Sequence, residues 1–362
     1  MTHKMTAKKA ALISAFIAIP HIGFADDTHK SIAAPEGHAP ISVMGDHMHK
    51  AGEVMFSLRQ MNMRMEGNIE GTKNVNDAHV LNIANQHGMP AKLRVVPQKM
   101  DMKMTMLGAM YAPSDRVTLV AMLMQVENEM TLTTYQGMMG NTVRGQFTSK
   151  SSGLGDTVIG ALLRGGETEN GAWHYGLALS LPTGSITETG EILTPASDMK
   201  MTKRLPYPMQ LGSGSYDVKP SITYNGDWQK WGGWRVGAQA NAVVRLNDND
   251  EDYRLGDKLE VQGWAMKNLT RWASASLHLN VTHQGKIDGQ DRDIDLPVQT
   301  AQTNFSGGTF ANMSLGINLI GQSGALRDHR LALELSMPVH QDANGVQMKR
   351  DETLTLGWQK AF

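Results

Sequence analysis

The chain has 362 residues, with 34 basic against 35 acidic side chains, 37 glycines, 26 methionines and no cysteine. Charge this even leaves no electrostatic footprint for nucleic acid, and the absence of cysteine excludes disulfide scaffolds, thiolate metal sites and cysteine nucleophiles. A mean hydropathy of −0.32 is too polar for a bundle of apolar membrane helices.

In chain order, residues 1–9 carry Lys4, Lys8 and Lys9, residues 10–19 form a short apolar run, and Gly23-Phe24-Ala25 offers small residues at −3 and −1. This is the pattern of a secretory signal peptide over residues 1–25, whose apolar core is too short to span a bilayer. Residues 26–52 read as a periplasmic N-terminal segment able to plug whatever follows, and residues 53–362 as one all-β unit.

From Val54 onward the dominant period is two. Leu331, Leu333, Leu335, Met337 and Val339 alternate with Arg330, Glu334, Ser336 and His340; Leu354, Leu356, Trp358 and Phe362 alternate with Thr353, Thr355, Gly357, Gln359 and Ala361. Segments of this kind fall at 53–66, 99–111, 116–130, 153–164, 172–182, 213–226, 233–246, 255–267, 271–285, 309–320, 329–340 and 351–362. Each meets or exceeds the ~9–11 residues that a tilted strand needs to cross a bilayer. Short connections alternate with long polar ones (67–99, 131–152, 183–212 and 286–308), which is the asymmetry of an outer-membrane barrel. The expected fold is therefore a transmembrane antiparallel β-barrel of about twelve strands, closed because lipid tolerates no unpaired edge. Its location is the bacterial outer membrane, among lipid and lipopolysaccharide.

With the apolar faces toward lipid, the other faces line a lumen. The expected lumen residues include Asp217, Lys219, Arg235, Gln239, Asn241, Arg245, Lys258, Glu260, His278, Asn280, Arg330 and Glu334. A wall of both signs fits a hydrated passage, and equally a narrow interior filled by paired side chains.

The segments Gly153-Leu154-Gly155-Asp156, Leu179-Ser180-Leu181-Pro182-Thr183-Gly184-Ser185 and Arg204-Leu205-Pro206-Tyr207-Pro208-Met209-Gln210-Leu211-Gly212-Ser213-Gly214 carry a family likeness. With Met44-Gly45-Asp46-His47-Met48-His49-Lys50 and Leu354-Thr355-Leu356-Gly357-Trp358-Gln359, the chain resembles the outer-membrane "MetA-pathway of phenol degradation" family of transporters. The resemblance implies a signal peptide, a porin-like barrel and transport, with no established substrate. The terminal Phe362 in an alternating aromatic strand resembles the signal read by barrel-assembly machinery, with Lys360 standing where an apolar residue is usual.

Seventeen of the methionines lie between Met44 and Met139. Thioethers suit Cu(I), and imidazole suits Cu(II), Zn or Ni. On a strand, M-x-M places sulfurs ~6.6–6.8 Å apart on one face, too far for one ion to bridge neighbours, yet open to sharing with a facing strand. His47, Met48, His49, Met61, Met63 and Met65 are the candidate metal ligands, copper the candidate ion. Met100, Met102, Met104 and Met106 alternate with Asp101, Lys103 and Thr105, and Met122 and Met124 precede Gln125 and Glu127; these are expected to face lipid. The acidic run 247–252 lacks the glycine and closing glutamate of a calcium loop, and it and the run 288–293 are expected to be solvated. No enzyme is indicated: His278 falls on the lumenal face, and His283 has no serine partner in a recognisable motif. Three functions stay open: a channel or transporter for a small polar or charged solute, a Met/His-rich barrel handling copper or another soft metal, and a closed structural barrel.

Overall fold

The computed structural model describes residues 35–228 and 232–362. The signal peptide expected over residues 1–25, and residues 26–34, lie outside the described residues.

The chain forms β1 (Val54–Gly71), β2 (Lys73–Val75), β3 (Val95–Ser114), β4 (Val117–Tyr135), β5 (Val143–Leu154) and β6 (Thr157–Thr168). There follow β7 (Gly171–Leu181), β8 (Thr189–Leu193), β9 (Lys200–Arg204), β10 (Asp217–Trp228), β11 (Trp234–Arg245) and β12 (Tyr253–Arg254). The last are β13 (Lys258–Asn268), β14 (Ala273–Gln284), β15 (Asp288–Gly289), β16 (Gly308–Ile320) and β17 (His329–Ala361). A ring runs β1-β3-β4-β6-β7-β10-β11-β13-β14-β16-β17 and closes by pairing β17 with β1. All of these pairings are antiparallel.

An odd ring cannot be antiparallel at every seam, and β17 resolves the parity. Its first arm pairs β16 from Arg330 to Ala343, and its second pairs β1 from Ala343 to Ala361. The reversal falls at Asn344-Gly345, where Gly345 takes φ +73, a left-handed backbone that glycine adopts without strain. The Gln341 side chain bonds the backbone of Arg350 in both directions (2.9 and 3.0 Å), and Trp358 Nε1 donates to His329 Nδ1 (3.0 Å). Eleven ring strands, the last folded double, thus give the expected twelve staves.

The outward face is an apolar belt. Leu315 is 65% exposed, beside Leu277 and Leu335 on the neighbouring strands; Leu119, Leu177 and Leu331 continue the belt. In water this surface has no rationale; in hydrocarbon it is required. Trp173, Trp234, Trp272, Tyr111 and Phe362 stand exposed near the short-turn end, the position of an interfacial girdle. Lys360 also faces outward and lays its ammonium over the Phe362 ring, 4.7 Å from the centroid. That contact explains how a cation is tolerated in the closing strand. Phe362 and Val54 exchange backbone hydrogen bonds (2.8 and 3.2 Å) at the seam.

The walls around β1, β3 and β4 stand taller than expected. These strands have 18, 20 and 19 residues, and β5 extends the wall through much of the stretch 131–152 expected to be loop. The excess rises above the belt at the long-loop end, where outward Asp101, Lys103, Glu127 and Glu129 meet water instead of hydrocarbon.

The three family-like segments converge on one carboxylate. Asp156, at the break between β5 and β6, accepts from Gly184 N (3.0 Å), Ser213 N (2.8 Å) and Ser213 Oγ (2.7 Å). Gly184 and Gly212 approach so closely there that a Cβ on either would strike the other's backbone.

Candidate functional site: the filled lumen

Residues 35–50 enter the barrel from the short-turn end and are gripped through their backbone. Ser274 Oγ donates to Pro35 O (2.9 Å), Arg235 to Glu36 O (3.2 Å), Gln239 to Met44 O (2.9 Å), His174 to Gly45 O (2.8 Å) and Asn225 to Asp46 O (2.6 Å). Arg330 reaches Ala39 O, Glu334 Oε2 accepts from Ser42 N (2.9 Å), and Thr118 Oγ1 accepts from His49 N (3.1 Å). Arg59 adds a contact to the Met44 sulfur. Donors and acceptors therefore come from β1, β4, β7, β10, β11, β14 and β17, nearly all the way round. Ala39 and Val43 pack on Trp264 and Met266 of β13, and Ile41, 1% exposed, lies over Gly357. From residue 35 the expected N-terminal segment lies inside the barrel, and residues 35–50 are called the plug below. A strand interior with small Gly357 opposite a bulky Ile41 is the local shape that seats it.

All twelve residues expected to line the lumen lie on inner strand faces. Arg235, Gln239, His278, Arg330 and Glu334 are the ones the plug or its neighbours engage. His278 links Glu334 (2.8 Å) to Gln262 (3.0 Å). Asn241, Lys258, Glu260 and Asn280 form a network farther along, with Lys258 Nζ 3.1 Å from Glu260 and Asn241 and Asn280 turned toward the same carboxylate. Asp217 pairs with Arg245 at the outer end, near Lys219. The mixed signs are thus largely neutralised in pairs.

The methionines depart from expectation. Met100, Met102, Met104 and Met106 face the lumen, and so do Met122 and Met124. Register decides this: Met100, Met102 and Met104 pair with Met65, Met63 and Met61 of β1, while Met106 pairs with Arg59 and Met124. Paired residues of an antiparallel ladder share a face, and Arg59 is buried inside. Asp101, Lys103 and Thr105 continue the outward face of Leu107 and Tyr111, above the lipid. One lumen wall, on β1, β3 and β4, is therefore sheeted with thioethers in directly opposed pairs, whose Cβ atoms stand ~4.5–5.5 Å apart.

The proposed ligands His47, Met48 and His49 belong to the plug, with Met48 half-buried and the two histidines buried. The described contacts join His47 to His38 and Asp46, two residues missing from the expected set, while Met61, Met63 and Met65 face β3. The rings of His38 and His47 are 4.6 Å apart, those of His47 and His49 4.8 Å. Burial, then the Arg330 charge, holds His38 well below its ordinary pKa, and burial with the neighbouring His47 brings His49 down to about 4. The dense Gly45-Asp46-His47-Met48-His49 run was the available signal; His38 lies too far upstream to be joined to it by spacing.

At the far end Leu205, Met209, Tyr253 and Ile294 of the long connections build an apolar core against Met130 of β4 and Phe147 of β5, continuous with Met100 and Met348 of the wall. A cavity of about 10 Å³ among Val95, Met130, Leu132 and Phe147 lies within it. Arg204 ties three loops together through Glu251 (3.3 Å), Asp291 (3.0 Å) and Asp293 (3.1 Å). The acidic runs are therefore not merely solvated: Asp291 and Asn249 are buried, because each partners a neighbouring loop.

A closed antiparallel ring with a lipid-facing belt, an aromatic girdle and a filled lumen is a bacterial outer-membrane β-barrel. Among solved structures it is similar to an outer membrane channel from Pseudomonas putida F1, with a TM-score of 0.56 and 15% identity over 88% of this chain and 98% of that one. Two others match more weakly. They are a Pseudomonas aeruginosa FadL homologue (TM-score 0.43, 9% identity, 85% and 90% covered) and the Ralstonia pickettii toluene transporter TbuX (0.42, 12%, 87% and 90%). No family model matches the chain, nor does any curated protein sequence.

Proposed function

We propose that the chain is an outer-membrane channel or transporter for small solutes, shut at rest by residues 35–50. The observation that carries this reading is the way the plug is held. Seven strands bind it almost entirely through backbone groups and small contacts, which suits a segment that is seated and released rather than one fused into the wall. The paired charges on β10, β11, β13, β14 and β17 favour a small polar or ionic solute once the plug has left, since each pair then offers a lumen-facing donor and acceptor. A second reading has its own observation. The opposed thioether rows on β1, β3 and β4 favour a soft cation of the Cu(I) or Ag(I) class, for which methionine sulfur is the natural ligand.

Single-channel recording in planar bilayers tests both. The full chain is expected to be mostly closed, and a chain lacking residues 35–50 to conduct K⁺ steadily. Equal conductance of the two refutes the plug reading, and no conductance in either leaves the closed structural barrel. Silver added to the open form is expected to bind and slow conduction, and the paired substitution Met61→Leu with Met104→Leu to abolish that effect. Indifference to silver removes the second reading alone.

A further inference from the structure

We propose that the plug contains a binding site for one divalent transition cation of the Zn(II), Cu(II) or Ni(II) class, with His38, Asp46 and His47 as ligands and His49 beside them. One ligand atom from each of His38, Asp46 and His47 lies within 4.8 Å of the others, and all three residues are buried. The four histidine atoms His38 Nδ1, His47 Nδ1, His47 Nε2 and His49 Nε2 are buried without a hydrogen-bond partner. Buried ring nitrogens are almost always bonded. Each neutral imidazole has one lone pair, so the three rings call for a partner that accepts up to three of them. His47 Nδ1 is 2.9 Å from Asp46 Oδ1 but misaligned for a hydrogen bond, a geometry that suits two ligands converging on a third body.

The surroundings resemble those of a metal centre. His49 Nδ1 lies 3.2 Å from Glu53 Oε2, so a carboxylate orients the ring, and Nε2 is buried without a partner. This is the usual arrangement behind a metal-bound imidazole. Asp46 Oδ2 also accepts from Ala39 N (2.9 Å), which fixes the carboxylate between the two arms of the plug loop. The positive neighbour Arg330 is committed to Ala39 O, Asn318 and Gln359, and Glu334 balances it nearby.

Donor chemistry selects the ion. Two or three nitrogens and one carboxylate oxygen suit a borderline cation in four-coordinate geometry, with metal–nitrogen bonds of ~2.0–2.1 Å. Calcium and magnesium require six or more oxygens, which this cluster does not offer. Closing from 4.8 Å to the ~3.3 Å spacing of a tetrahedral shell asks only for rotation of side chains on a loop already bent at Gly45 (φ +61). Because His38 and His47 flank the stretch 39–46, a bound ion cross-links both ends of the segment that anchors the plug.

The test is equilibrium binding of Zn(II) and Cu(II) to the full chain, purified in detergent without a histidine tag, together with the Cu(II) electron paramagnetic resonance spectrum. One ion per chain is expected, with nitrogen hyperfine splitting from at least two imidazoles. His38→Ala, His47→Ala and Asp46→Asn are each expected to weaken binding by about 100-fold or more, and Glu53→Gln by about 10-fold. His283→Ala, at an exposed histidine on the outer wall, is expected to leave binding unchanged. An oxygen-only spectrum for the unsubstituted chain overturns the proposal without reliance on any variant, as does affinity that ignores the plug substitutions. The site stands or falls on these binding data, whatever the conductance recordings show.

Discussion

Truncating Ile41 should loosen the plug by an amount that can be worked out. Ile41 is 1% exposed and rests against Gly357 on the inner face of β17, so its side chain leaves an apolar niche only when the plug leaves. Ile41→Ala removes three carbons, worth about 2.4 kcal/mol at ~0.8 kcal/mol per buried methylene, before any cavity contribution. The loss falls on the seated state alone, because a released plug exposes residue 41 to lumen water in either variant. At 1.4 kcal/mol per factor of ten, the ratio of open to closed channels should rise about 50-fold. Ile41→Val, at about 1 kcal/mol, should raise it about fivefold. The assay is the open fraction in single-channel records of the folded protein, with heat-modifiable gel migration to show that the wall is intact. An unchanged open fraction in Ile41→Ala, or equal effects of valine and alanine, would mean that residue 41 does not hold the plug.

Two further substitutions test the wall. Leu315→Arg, placed in the outward belt between Leu277 and Leu335, should destabilise folding into vesicles by about 2–4 kcal/mol, whereas Leu326→Arg in the exposed 321–328 turn should be close to neutral. Urea titration of the refolded protein reads the difference, and equal midpoints would remove the argument that the belt faces lipid. Asp156→Asn keeps one acceptor oxygen where the carboxylate offers two, so either Gly184 N or the Ser213 pair loses its partner. The cost of a lost bond to a charged group is about 1.5–3 kcal/mol, seen as a lower denaturant midpoint with the barrel still formed.

Strand number, strand positions and the alternation of long and short connections were legible in the sequence because period-two patterning is written into each stave separately. The seam between β17 and β1, the plug contacts and the His38–Asp46–His47 cluster were not, since each joins residues that only closure of the ring or entry of the plug brings together. Arg330 is the clearest case. Its place on a polar face can be read from Leu331, Leu333 and Leu335, but its bond to Ala39 O spans most of the chain. Asp156 is intermediate. Its glycine-rich surroundings stand out, yet nothing in their spacing says that three separate segments meet on one carboxylate.

The methionine wall shows why alternation alone misassigns a face. In Met100–Met106 the methionines are the apolar set and Asp101, Lys103 and Thr105 the polar one, so the local pattern turns the methionines toward lipid. Parity carried along the strand reverses that. Tyr111, Ala109 and Leu107 fall on the face of Thr105, Lys103 and Asp101, and Leu119, Ala121 and Leu123 on the face of Gln125, Glu127 and Glu129. Each strand thus has one outward face, apolar within the bilayer and charged above it, because strands of 19 and 20 residues outrun the ~9–11 that lipid needs. Inside, the polarity runs the other way. Small and hydrogen-bonding residues such as Ser57 and Thr118 stand low, level with the plug, and thioethers stand high, under the apolar core of the loops. The inner methionines are flexible enough to pack against those loops and polarizable enough to bind a soft ion. Silver binding in the open channel is the measurement that separates these two roles, since packing alone predicts none.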